Sequence, residues 1–291
     1  MTAEYRAGGT DLMERRASGR STGPLIDLYD RDLRSIDRTP DGGFRAGAMV
    51  TVDTLATDPA LTTAYPALAL TAGALATPQI RRAATLGGVL LQRTRCRYYR
   101  SEHYECLKTG GTGCPARGNP GERAVVLDVG PCVAPHPSSV ALALLAYDAD
   151  AEIEDQQPRK VADLYGDGAR DHLLGDGELL TAIVLPPPAE GEKAGYKRAI
   201  GRASAEWPLA EAVARLTVGD GVVVRAGVAV GGVAAVPLRL PDVERALVGQ
   251  PPSQELFARA ARLGWTPAFP ETAYKIPLTE TLIADVLAQA L

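Results

Sequence analysis

Along the first 185 residues, short apolar runs of the kind that form strands alternate with longer stretches of helical spacing. PLIDL (24–28), FRAGAMVTV (44–52), AVVLDVG (124–130) and LLTAIVL (179–185) are rich in β-branched residues and bounded by Gly, Pro or Asp, which predicts strands. Around Thr54 to Thr77 and Ser138 to Ala149 the spacing predicts helices, and LMERRA (12–17) predicts a short one. PPPAEGEK, residues 186–193, interrupts the pattern with three prolines, a glycine and charges, which predicts a linker between two domains. Beyond it RLTV pairs through Gly219-Asp220-Gly221 with VVVRAGVAVGGVAAVPLRL (222–240), and three helical stretches follow: PDVERALVG, SQELFARAARLG and PLTETLIADVLAQAL. A mixed first half and a strands-then-helices second half give an α+β expectation. No internal repeat or low-complexity tract interrupts it.

Composition narrows the function classes. At 291 residues, 46% apolar and 23% charged, the chain has the material for two packed domains. Its formal charge of −4, with Lys and Arg scattered among acids, argues against a nucleic-acid partner. The longest apolar run, Val140 to Tyr147, is too short to span a bilayer, and MTAEYRAGG has no apolar signal region. The expectation is a cytoplasmic protein without membrane insertion. Thiols stay reduced there, which turns attention to the cysteines as ligands.

All four cysteines fall between residues 96 and 132, with nine, seven and seventeen residues between successive members: Cys96, Cys106, Cys114, Cys132. Zinc fingers and ribbons favour close pairs, which are absent, while four thiols and a glycine-rich GGTGCP turn suit a [4Fe–4S] cluster. Spacing alone leaves an iron–sulfur site, a zinc site and unliganded or bridged cysteines open in equal measure. Two other segments are built for close backbone approach. In YRAGGTDL the paired glycines free main-chain N–H groups to converge on an anion, although a plain tight turn is the commoner use of such a pair. In ATPQIRRAATLGGVLLQ (76–92), Thr77, Thr85, Gly87 and Gly88 form a second polar turn, whose plain reading is a corner between elements. Neither is a dinucleotide fingerprint or a phosphate loop of the usual kinds.

Taken in order, GGTDL, TPQIRRAATLGG, HPSSVALALLAYDADAEI, LLTAIVLP and YKRAIGRAS…VAVGGVAAVPLR resemble the flavoprotein subunit of molybdenum hydroxylases, the family of xanthine dehydrogenase, carbon monoxide dehydrogenase and aldehyde oxidoreductases. The resemblance implies an FAD-binding domain of the vanillyl-alcohol oxidase and p-cresol methylhydroxylase type over 1–187, made of two α/β subdomains. It also implies a CO dehydrogenase flavoprotein-like α+β domain over 193–291. On the same basis Ala7, Gly8, Gly9, Thr10 and Asp11 would hold the FAD pyrophosphate, with Thr85, Leu86, Gly87 and Gly88 as the second loop. Thr77 and Gln79 would lie near the isoalloxazine, and Lys197 would reach the flavin from the second domain. TLGGVLLQRTRCRYYR further resembles the aldehyde oxidoreductase branch, whose four-cysteine insertion, here at about 93–133, is a [4Fe–4S] site. The implied partners are a molybdopterin-containing large subunit and a [2Fe–2S] small subunit, as a heterotrimer or a dimer of heterotrimers. Electrons would pass from the partner's clusters to FAD and on to an external acceptor, so no residue is nominated as catalytic. Export as a folded complex with a signal-bearing partner is compatible with the family.

Three departures bear on these expectations. Only seven residues precede Gly8, so the first subdomain is expected to be truncated. Val89 stands where the family commonly has Asn, and Ser139 where it commonly has Asp. A subunit that keeps the fold and a metal or cluster site as scaffold, having lost FAD, is the alternative. A stand-alone flavin oxidase is disfavoured by the lack of a His or Cys in the loops for covalent attachment. Arg93, Arg95, Arg97 and Arg100 read as a solvated face or as compensation for cluster charge. His103 and His172 are expected on the surface, His136 beside the Cys132 turn, and Trp207 and Trp265 in packing roles.

Overall fold

The computed structural model describes residues 3–201 and 205–291; the end of the YKRAIGRAS stretch therefore lies outside the described residues. The chain opens with β1 (Glu4–Arg6), turns through residues 7–11 into α1 (Leu12–Ala17), and returns as β2 (Leu25–Asp27), parallel to β1. β3 (Ile36–Arg38) and β4 (Phe44–Gly47) precede a helical run: α2 (Val52–Thr57), α3 (Pro59–Ala64), α4 (Pro66–Gly73), α5 (Pro78–Ala83), α6 (Leu86–Leu90) and α7 (Arg97–Arg100). After α8 (Ser139–Ala146), β5 (Asp150–Ile153), β6 (Arg159–Lys160) and β7 (Leu180–Leu185) complete an antiparallel five-stranded sheet in the order β3-β4-β7-β5-β6.

The helix expected from Thr54 to Thr77 is three helices. Proline lacks an N–H and clashes with the preceding turn, so Pro59 and Pro66 each start a new helix; Asp58 caps α3 by accepting from the Ala60 and Leu61 N–H groups. The strand expected at 44–52 ends at Gly47, because Thr51 caps α2 and the main chain beyond Gly47 bonds to Thr181 and Leu33 separately. AVVLDVG is not a strand. Its N–H groups go to Val133 and Val233, and its Val126 carbonyl accepts from Ala268, so no single neighbour offers a ladder.

The second half is an antiparallel sheet, β11-β10-β9-β8, built from β8 (Lys193–Ala199), β9 (Ala210–Gly219), β10 (Val222–Gly231) and β11 (Leu238–Arg239). α9 (Pro241–Leu247), α10 (Gln254–Ala260) and α11 (Lys275–Gln289) cover one face of it. Asp220 and Gly221, both at positive φ, turn β9 into β10 as the sequence predicts. The other face meets α4 and α8, and Val213 and Ala229 of that sheet belong to the first domain's core. α8 is buried along all eight residues; SVALALLA has no polar stripe to turn to water, and it packs between the second sheet and α4 and α6. Antiparallel sheets with helices segregated to their faces make this an α+β protein. Among the described residues no helix is long and apolar enough to cross a membrane.

Candidate cofactor site

The two glycine loops are adjacent because Gly8 has no side chain. A Cβ there would lie 1.7 Å from the Ala83 carbonyl oxygen, just before Thr85 begins the second loop. Gly9 adopts φ +72°, a conformation that favours glycine, and carries the chain into α1. Among the described residues the N–H groups of Gly8, Gly9 and Thr10 have no hydrogen-bond partner. The second loop differs. Gly87 N–H donates to the Ala48 carbonyl (2.8 Å) and Gly88 N–H to the Thr85 hydroxyl (3.2 Å), while Leu86 N–H donates to Val50. Between the loops lies a cavity of about 130 Å³ lined by Ala7 to Asp11, Thr85, Gly87 and Gly88, with Arg15 at its wall. The first loop thus offers donors and the second offers close approach, with exposed Gly88 presenting no side chain.

Asp11 faces a cluster of arginines. Its carboxylate accepts from Arg100 (2.7 Å), Arg15 (3.3 Å) and the Arg93 N–H (3.2 Å), and forms an ion pair with Arg95 (2.9 Å). Burial alone would raise its pKa, but Arg95 and Arg100 outweigh that and hold the carboxyl below the usual range. Arg95 continues past Glu14 to stack over Trp207, 4.6 Å from the ring centroid. There it lines a second cavity of about 420 Å³ together with Cys96, His136, Trp207, Glu211 and Gly232. This cavity lies where the cysteine segment meets the second domain.

Its buried polar groups were not legible as site residues. Glu211, 2% exposed, accepts from the Tyr196 hydroxyl and shares a hydrogen bond with Ser139; burial raises its pKa. An Asp at position 139 would set a second carboxylate against Glu211, so the serine there fits its surroundings. Val89 is likewise absorbed by the first core. His136 is buried against Tyr165, its Nδ1 accepts from Ser138 N–H, and its Nε2 has no partner among the described residues; burial pushes its pKa down to about 4.

Several expected positions are placed elsewhere. Thr77 caps α5 by accepting from Ile80 N–H, Gln79 is exposed, and Lys197 pairs with Asp285 of α11; none lines either cavity. His172 is half-buried rather than a free surface residue: burial and then Arg93 and Arg170 lower its pKa to about 3. The basic run is only in part a solvated face: Arg97 is exposed, whereas Arg95 and Arg100 pair with Asp11 and Glu14. Trp207 stands 41% exposed over the second cavity, whereas Trp265 does pack on the second core. His103 is exposed as expected.

All four cysteines are free thiols. Leu107 N–H donates to the Gly113 carbonyl (2.9 Å), folding the Cys106 turn back toward Cys114, and Cys114 packs with Cys132 in a small apolar cluster. Lys108 and Asp171, nearly buried, form an ion pair that ties this segment to residues 166–175. Among the described residues no three His, Cys, Asp or Glu side chains gather closely enough to hold a metal ion.

Comparison with known proteins covers nearly the whole chain. Residues 1–188 match the FAD binding domain in molybdopterin dehydrogenase, and residues 195–289 match the CO dehydrogenase flavoprotein C-terminal domain. The chain is 34% identical to the aldehyde oxidoreductase FAD-binding subunit PaoB of Escherichia coli, over 99% of this chain and 91% of that protein. It is 36% identical over 88 residues, 30% of each chain, to the putative xanthine dehydrogenase FAD-binding subunit XdhB of the same organism. In fold it is similar to the reconstituted CO dehydrogenase of Oligotropha carboxidovorans (TM-score 0.77, 22% identity, 99% of this chain and 89% of that one). Quinoline 2-oxidoreductase of Pseudomonas putida is also similar (TM-score 0.74, 20% identity, 99% and 89%). With glycine loops, both domains and a relative at this identity over nearly its whole length, the chain belongs to the FAD-binding subunits of the molybdenum hydroxylase family.

Proposed function

We propose that this chain is the electron-transfer flavoprotein of a heteromeric, molybdenum-dependent oxidoreductase of the aldehyde oxidoreductase kind, working beside a molybdopterin subunit and a [2Fe–2S] subunit. The observation that carries the reading is the contact of the two loops at Gly8, beside a glycine-walled cavity lined by residues whose N–H groups have no partner among the described residues. Such a surface suits a dinucleotide pyrophosphate, whose charge Arg15 complements. When bound, FAD takes up single electrons and gives up pairs. The chain's own residues bind and orient it: Gly8, Gly9 and Thr10 through main-chain donors, Gly87 and Gly88 by leaving room, and Thr85 by spending its hydroxyl on holding the second loop in shape. The likeness to PaoB supports the choice of substrate class and partners.

The second part of the proposal assigns Cys96, Cys106, Cys114 and Cys132 to a [4Fe–4S] cluster. The donor set fits in kind, as four free thiols on one glycine-bearing segment. It does not fit in arrangement, since the thiols are not gathered, so they would have to draw together as a cluster forms. No electron-transfer step is routed through it. Cofactor analysis of the purified protein tests both parts separately. Flavin released on denaturation, lost in Gly8→Val, supports the first; a chain without flavin sinks it. About four irons with matching acid-labile sulfide support the second, and zinc or no metal sinks that part alone.

A further inference from the structure

Asp11 stands in the first glycine loop, yet its carboxylate is turned toward the segment that bears Cys96. Three donors converge on it, the Arg15 and Arg100 side chains and the Arg93 N–H, and Arg95 adds an ion pair. The same Arg100 donates to the Thr94 and Arg93 carbonyls, closing the turn that leads into Cys96, and α7 follows at once. Arg20, just beyond α1, donates to the carbonyls of Ser101 and Tyr104 at the far side of that turn. Two segments separated by about eighty residues are therefore joined by charge-assisted bonds around a carboxylate only 13% exposed. Arg100 does not line the glycine cavity, and Arg95 reaches from Asp11 to the second cavity.

We propose that Asp11 is a positioning residue, a latch through which the geometry of the first glycine loop and the order of residues 93–104 depend on each other. The inference rests on FAD being held by the glycine loops. Because Asp11 shares that loop with Gly8, Gly9 and Thr10, ordering the loop on a cofactor orders the arginine cluster, and loosening the cluster loosens the loop. Linkage makes the effect reciprocal. Arg95 and Arg100 therefore favour FAD without touching the cavity where its pyrophosphate lies.

Hydrogen exchange and flavin titration on the full chain read both directions. In flavin-depleted wild-type protein, adding FAD should slow amide exchange across 93–104, and in Asp11→Asn it should not. Arg100→Met, which removes a group outside the cavity, should weaken FAD binding about tenfold. Asp11→Glu should restore part of the protection that Asp11→Asn loses, which general destabilisation would not do. Exchange over 93–104 that ignores FAD in the wild type, or FAD affinity unchanged in Arg100→Met, overturns the latch. Wild-type protein that takes up no FAD at all overturns the flavin reading and the coupling with it. That failure is distinguishable, because Asp11→Asn would still speed exchange in 93–104 while no flavin signal appeared.

Discussion

His136 shows how much a single buried side chain can add to the response of this protein to acid. It is buried, its Nε2 has no partner among the described residues, and its pKa falls to about 4. The unfolded chain, with an ordinary imidazole, binds a proton below about pH 6.5 that the folded chain refuses until about pH 4. The stability linked to this group is thus fully present above pH 6.5 and falls as pH drops through that window, by on the order of 3 kcal/mol. Replacing His136 with Asn should flatten this part of the stability profile, seen as a smaller change in denaturation midpoint between pH 7 and pH 4.5 than in wild type. An unchanged profile would remove His136 from the account. At this scale the glycine pairs are legible because they carry their meaning locally, and Gly8 and Gly87 do sit where another segment's backbone comes close. The sequence could not mark Glu211 or Arg95, because a charged residue reads as solvent-facing until its partner, here Tyr196 or Asp11, is known to be near.

Among the elements, α9 illustrates a helix fixed by a side chain that propensity would assign to the surface. Glu244, 8% exposed, accepts from the Val228 N–H of β10 and from Arg239 of β11, joining the helix to two strands. Glu244→Ala leaves the Val228 N–H buried without an acceptor and should cost about 1–3 kcal/mol, measured as a lower denaturant midpoint with the fold retained. A neutral outcome would mean that Arg239 and water replace the bond. Helices with capping or proline signals at their start, such as α9 and α10, were legible because those signals act within one turn. AVVLDVG was not, because a strand needs a neighbour, and residues 124–130 meet three different segments instead of one.

Across the whole molecule, the linker at 186–193 separates two sheets, and the first core reaches across into the second sheet. α8 belongs to the first core yet packs on β9 and β10, and Val213 and Ala229 of the second sheet join that same core. Leu142, fully buried on α8 and next to Gly231, is placed to couple them. Leu142→Ala should cost about 2–5 kcal/mol and lower one shared thermal transition by calorimetry; two transitions, only one of which moves, would show that the halves unfold independently. The sequence by itself determined the α+β class, the hairpin at Asp220-Gly221, the apolar helix α8 and the order of loops that marks the family, because each is written in neighbouring residues or in their order. Only the tertiary structure decided that Asp11 holds the arginine run, that Ser139 meets Glu211, and that Lys197 turns to Asp285. Those pairings depend on which distant segments a folded chain brings within hydrogen-bond reach, and sequence distance carries no such information.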